Sequence, residues 1–174
     1  MSNLVMKSST PPSPLPVNNS YRGISSEQVL LTKTAMKELR SYLNFTQLRF
    51  NCKKHQGRTF HITTAASSSG EAVVQYFSGQ TDVQPDACDS FLIMDDDNSG
   101  LAQICQNWGY DGESYKVGKW GHGMDQDRLY NHAAFVTIAH HWIVGSFKGR
   151  WECDDYQPHN VKVFSGDFWK VFVR

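Results

Sequence analysis

Between Cys88 and Cys105 the chain sets a short apolar run, Phe91-Leu92-Ile93-Met94, directly before an acidic turn, Asp95-Asp96-Asp97-Asn98-Ser99-Gly100. A hard cation such as Ca2+ wants several oxygens on a sharply turning backbone, and a D-x-D-x-S-G loop supplies side chains from its first, third and fifth positions. Asp95, Asp97 and Ser99 occupy those positions, the carbonyl of Leu101 would serve as the seventh, and Gln103 as the ninth. The twelfth is Gln106 where an EF-hand has a bidentate glutamate, so only the first half of that pattern is present and affinity would be that of weak extracellular modules. The competing reading is a solvated turn whose Asp and Asn side chains bond their own backbone.

A second group of residues suits sugars. The segment Trp108-Gly-Tyr110-Asp-Gly, followed by Gly118-Lys-Trp120-Gly-His122-Gly-Met-Asp125-Gln-Asp127-Arg128, mixes aromatic rings, glycines and carboxylates. Sugar C–H faces stack on rings while hydroxyls take paired hydrogen bonds, and glycine leaves the rings accessible. Trp120, His122, Asp125 and Asp127 are the lead ligand-binding residues, with Trp151, Glu152, Asp154 and Asp155 as a second acidic and aromatic cluster. Against this stands a reading in which the tryptophans are core and the Asp and Gly residues form turns.

For catalysis, His122 with Asp125, or His140 and His141 with Asp154, would be the base and its orienting carboxylate, and a carboxylate pair could hydrolyse glycosides. His140 and His141 are adjacent, so on a strand they face opposite ways. The sequence has no nucleophile elbow, H-E-x-x-H or phosphate loop, and a binding protein rather than an enzyme is expected.

Seventeen basic and seventeen acidic residues balance in a chain of 174, and no Lys/Arg cluster is long enough to track phosphates, which argues against nucleic acid. No apolar run is long enough for a transmembrane helix. Five Trp, seven Tyr and ten Phe favour strands and binding surfaces. The four cysteines form no C-x-x-C pair, so two disulfides are expected. Of the three pairings, Cys88 with Cys105 and Cys52 with Cys153 is favoured: the first closes the acidic loop and the second ties an early strand to a late one. Two N-x-[ST] sequons, Asn18-Asn19-Ser20 and Asn44-Phe45-Thr46, fit a secreted glycoprotein. Met1-Ser-Asn-Leu-Val-Met-Lys lacks the apolar core of a signal peptide, so secretion supposes a mature chain.

The elements that must position these residues follow from periodicity. Residues 1–24, centred on Thr10-Pro-Pro-Ser-Pro-Leu-Pro16, read as a flexible Pro/Ser-rich linker. Ser25 and Gln28 form a capping box before one amphipathic helix over 26–43, within a unit spanning 25–45. Its Val29, Met36 and Leu43 are seven apart, the spacing of a short coiled coil that could assemble homo-oligomers. From 46 to 174 the period is two. Leu48, Phe50 and Cys52 alternate, His55-Gln56-Gly57 turns, and Phe60, Ile62 and Thr64 alternate again as a hairpin. A turn at Ser67–Gly70 precedes a strand-like Glu71–Phe77 run, and further strands are expected at Phe91–Met94, Tyr115–Trp120 and, apolar on both faces, Phe135–Val144. A last hairpin joins Asn160–Phe164 to Asp167–Val173 around Ser165-Gly166. The fold expected is mainly β, an antiparallel sandwich or barrel-like domain with one N-terminal helix.

The disulfide-bounded acidic loop, the Trp/Gly-rich segment and the C-terminal Phe168-Trp-Lys-Val-Phe-Val-Arg174 together resemble extracellular lectin-like recognition modules of invertebrates. The G-G-G-W-T segment of fibrinogen-related and intelectin-type lectins is lacking, so none of their ligand residues is carried over. The expectation is a secreted carbohydrate-binding domain, calcium-assisted, whose partner is a glycan or an extracellular protein. The alternative is a structural, matrix or assembly protein.

Overall fold

The computed structural model of the chain describes residues 21–23, 29–54, 57–123, 128–129, 132–137, 140–144, 151–155 and 168–174. The described fold is mainly β, and every strand pairs antiparallel. Strands β1 (Tyr21–Gly23) and β2 (Val29–Leu31) form a ribbon. A four-stranded sheet has the order β5 (Phe91–Ile93), β4 (Thr59–Thr64), β3 (Leu48–Lys53), β9 (Phe168–Val173). A three-stranded sheet orders β6 (Ala134–Phe135), β7 (His141–Val144) and β8 (Trp151–Cys153).

The alternation expected for the β3–β4 hairpin is present, and it decides what the large sheet buries. Leu48, Phe50 and Cys52 of β3, Phe60 and Ile62 of β4, and Trp169, Val171 and Val173 of β9 turn to one face. On that face lie Trp142 from the small sheet, 5.5 Å from Phe50 and 5.7 Å from Phe60, together with Phe77 and Trp120, each also against Phe50. The disulfide Cys52–Cys153 joins β3 to β8, and Cys88–Cys105 brackets the acidic turn, which is the pairing expected.

Several expectations are corrected. The described residues hold two α-helices rather than one. Ser68–Phe77, expected as the end of a turn and then a strand over Glu71–Phe77, is helix α2. Ser67 caps it by accepting the N–H of Gly70, Glu71 sits in the first turn, and Val73, Val74, Tyr76 and Phe77 are buried at helical spacing. Burial of that face outweighs the β propensity of the Val pair. Helix α1 runs over Lys33–Leu43 and starts later than expected, because Thr32, not Ser25, is the N-cap and Val29–Leu31 pairs with β1. β1 itself falls inside the stretch read as linker. The heptad spacing makes no coiled-coil seam: Val29 belongs to a strand and Met36 is buried in the chain's own core.

Phe135–Val144 is not one central strand but the antiparallel pair β6 and β7. Tyr115–Trp120 contributes only isolated bridges, Tyr110 with Tyr115 and Asp86 with Lys119. β9 pairs with β3, while the partner expected for it at 160–164, the turn at 165–166, the 55–56 turn and residues 1–20 lie outside the described residues.

Candidate functional site

The acidic turn is built as a staple. Asp97 accepts the backbone N–H of His61 on β4 at 2.5 Å, the N–H of Ser99 at 3.0 Å and the Ser99 hydroxyl at 3.0 Å. Asn98 accepts the N–H of Thr59 at 2.6 Å, and Asp96 meets the imidazole Nδ1 of His61 at 2.5 Å. The carbonyl of Leu101 takes the indole N–H of Trp108 at 2.9 Å. Burial pushes the Asp97 carboxyl up, against the hydrogen bonds from His61 and Ser99 that pull it down. Donor dipoles converge on Asp97 and Leu101, whereas a calcium cage needs oxygens converging on a cation. Asp95 and Gln103 remain exposed. Among the described residues no group of three His, Cys, Asp or Glu could hold a metal.

The second acidic cluster belongs to the same staple, a relation that no local pattern discloses. Asp154, wholly buried after β8, accepts the N–H groups of Gly100 and Leu101 at 3.1 and 2.7 Å. Arg58 and His140 approach the same carboxylate at 3.2 and 3.1 Å. The hydrogen bond to Asp154 raises the His140 pKa above its ordinary value. Asp155 accepts the N–H of Cys153 and forms a buried ion pair with Lys54. Glu152 is buried with its carboxylate 3.7 Å from His141. Asp154 and Asp155 are thus corrected from ligand-binding to positioning residues.

The Gly-rich segment behaves otherwise. It contains the same three-residue arrangement twice: Trp108-Gly109-Tyr110 and Trp120-Gly121-His122. On a regular strand the first and third residues would share a face. Here the central glycines have φ of 91° and 81°, which side chains rarely adopt, and this turns each tryptophan inward and the following ring outward. Both glycines are anchored, Gly109 donating its N–H to Phe135 at 2.8 Å and Gly121 to Ala133 at 2.9 Å. Trp108 and Trp120 are fully buried, 5.0 Å apart and edge to face. Trp108 bonds Leu101 as above, and Trp120 donates to the Ser90 hydroxyl at 2.7 Å. Trp120 is therefore corrected from an exposed platform to a core residue.

The outward rings form a continuous surface. Tyr115 stacks on Tyr110 at 4.5 Å, Tyr110 meets His122 at 4.5 Å, and His122 lies 5.0 Å from His132. His132 is 4.7 Å from Phe135, which stacks at 4.8 Å on buried His141. Tyr115 is 51% exposed, and Tyr110, His122, His132 and Phe135 are each partly exposed. The Tyr110 hydroxyl donates to the Gly112 carbonyl at 2.6 Å, fixing the ring. Beside it, N–H groups of Ser114 and Glu113 hold the exposed Asp111 carboxyl below the usual range.

Of the expected ligand residues, only His122 stands on this surface among those described. Asp125 and Asp127 lie outside the described residues, as does the side chain of Trp151. Tyr115, His132 and Phe135 are the residues that sequence reading missed, although the repeated Trp-Gly-ring pattern is a usable signal for the inward and outward sorting. Set against protein-family models, curated proteins and solved structures, the chain matches none.

Proposed function

We propose that this chain is a secreted recognition domain that binds carbohydrate on the ring surface of Tyr110, Tyr115, His122, His132 and Phe135, and that it is not an enzyme. The observation that carries the reading is the Tyr115–Tyr110 stack continuing into His122 and His132 on a loop anchored from beneath. Tyr115, the exposed end of that stack, offers a flat apolar face to sugar C–H groups, while the exposed Asp111 carboxylate supplies acceptors for hydroxyls. Two disulfides suit an oxidising compartment. The scaffold in this reading is sandwich-like, with the small sheet laid on the large one and the two tied by Cys52–Cys153. This reading does not call on calcium: Asp97 and Leu101 accept N–H groups that hold the turn to the fold. The test is a glycan array with the wild type and Tyr115→Ala, in which reproducible binding and its loss are expected.

A second reading, an assembly protein, is favoured by strand β5, at the edge of its sheet among the described residues, where Leu92 and Ile93 are both exposed. Sedimentation over a concentration series separates the two: self-association without glycan binding supports assembly.

A further inference from the structure

We infer that Asn44 is a site of N-linked glycosylation, independently of whether the ring surface binds sugar. The sequon Asn44-Phe45-Thr46 lies where helix α1 ends and the chain enters β3. Asn44 and Thr46 are exposed, and only Phe45 between them is buried. Asn44 adopts the left-handed conformation, φ 48° and ψ 36°, and its backbone N–H closes the helix by donating to Arg40 at 2.8 Å. That conformation favours Asn among side-chain-bearing residues. The bonds of this segment run through its backbone, with the N–H of Thr46 donating to the Arg174 carbonyl at 2.7 Å.

A bulky, solubilising group is accommodated only on an open surface, and the environment of Asn44 is open. Its neighbours Tyr42 and Leu43 are 83% and 45% exposed, apolar area that a glycan would cover. Thr46 borders a shallow concavity with Ala65, Ala66, Ser67, Ser68 and Glu71, which leaves space on its other side. The two disulfides suit the oxidising lumen in which such transfer takes place. In the transfer, Nδ2 of Asn44 bonds to the anomeric carbon of an oligosaccharide carried on a lipid diphosphate. The carbon–oxygen bond to the diphosphate breaks, the lipid diphosphate leaves, and one amide proton is released.

The experiment expresses the full chain behind a cleavable signal sequence in eukaryotic cells and maps peptides from all lumenal material, retained or released. The wild type should carry glycan on the peptide containing Asn44, and enzymatic removal should leave aspartate there. Thr46→Ser preserves the sequon and should keep the glycan, whereas Thr46→Ala should lose it completely while leaving the Asn44 helix cap in place. Lumenal wild-type chain with both disulfides formed and unmodified Asn44, including chain modified at Asn18 alone, overturns the assignment. Because the wild-type peptide map decides by itself, poor folding of either variant does not rescue it.

Discussion

Asp154 accepts the backbone N–H of Leu101 at 2.7 Å across 53 residues of sequence, with its side chain wholly buried. This bond couples the acidic turn to the end of β8, and Arg58 and His140 neutralise the charge it buries. Asp154→Ala should therefore leave two backbone donors and two cationic groups without their acceptor. Breaking a buried, hydrogen-bonded charge typically costs about 3 to 5 kcal/mol. Urea unfolding should show a lower midpoint, with Asp95→Ala, on the exposed side of the turn, within about 0.5 kcal/mol of wild type.

The pH dependence has a definite sign. The hydrogen bond and charge of Asp154 raise the His140 pKa, outweighing burial and Arg58, which lower it. The folded chain then binds this proton more tightly than the unfolded chain, so its stabilisation is complete below the unfolded value of 6.5 and is lost as pH rises through the folded value. Asp97 acts in the same sense at lower pH, its stabilisation present below 3.8 and lost as pH climbs through its raised value. NMR titration should place the His140 inflection above that of a free histidine. His140→Gln should flatten the fall in melting temperature between about pH 6 and pH 8.

How much of this was legible follows from which contacts are local. Alternation at Leu48, Phe50 and Cys52 and at Phe60 and Ile62 announces the central hairpin, and the cysteine spacing suggested both disulfides. Helix α2 escaped notice because Val73-Val74 favours strand when read alone, while the face they share with Phe77 acquires meaning only against the sheet. The sense of Trp120 and His122 depends on the φ of Gly121, which residue types do not announce. Asp154 looked like a ligand residue because its partners, Gly100 and Leu101, lie far away in sequence.

Gly121 is a sensitive position. A Cβ there would lie 2.8 Å from the Tyr76 hydroxyl oxygen, and φ is 81°. Gly121→Ala should cost more than about 1 kcal/mol and weaken glycan binding by moving His122. Gly112→Ala, which meets nothing within 4 Å but shares a positive φ of 108°, should show the backbone cost without the clash. Thermal melts of the two variants separate these contributions.

The disulfides should differ in weight. Cys52–Cys153 spans 101 residues and Cys88–Cys105 spans 17. On chain-entropy grounds removal of the longer link should cost about 4.7 kcal/mol and of the shorter about 3 kcal/mol. Paired serine variants, Cys52→Ser with Cys153→Ser and Cys88→Ser with Cys105→Ser, compared by denaturant unfolding, test the order.

The central claim is that the outward rings bind sugar and the inward tryptophans hold the fold. It is tested most directly by measuring glycan binding and melting temperature together for Tyr115→Ala and Trp120→Ala. Tyr115, 51% exposed, should lose binding at least tenfold with stability changed by less than about 1 kcal/mol. Trp120, fully buried, should cost about 3 to 5 kcal/mol in stability. A Tyr115→Ala protein that melts like the wild type and keeps full glycan binding, or a wild type that binds no glycan at all, would contradict the account.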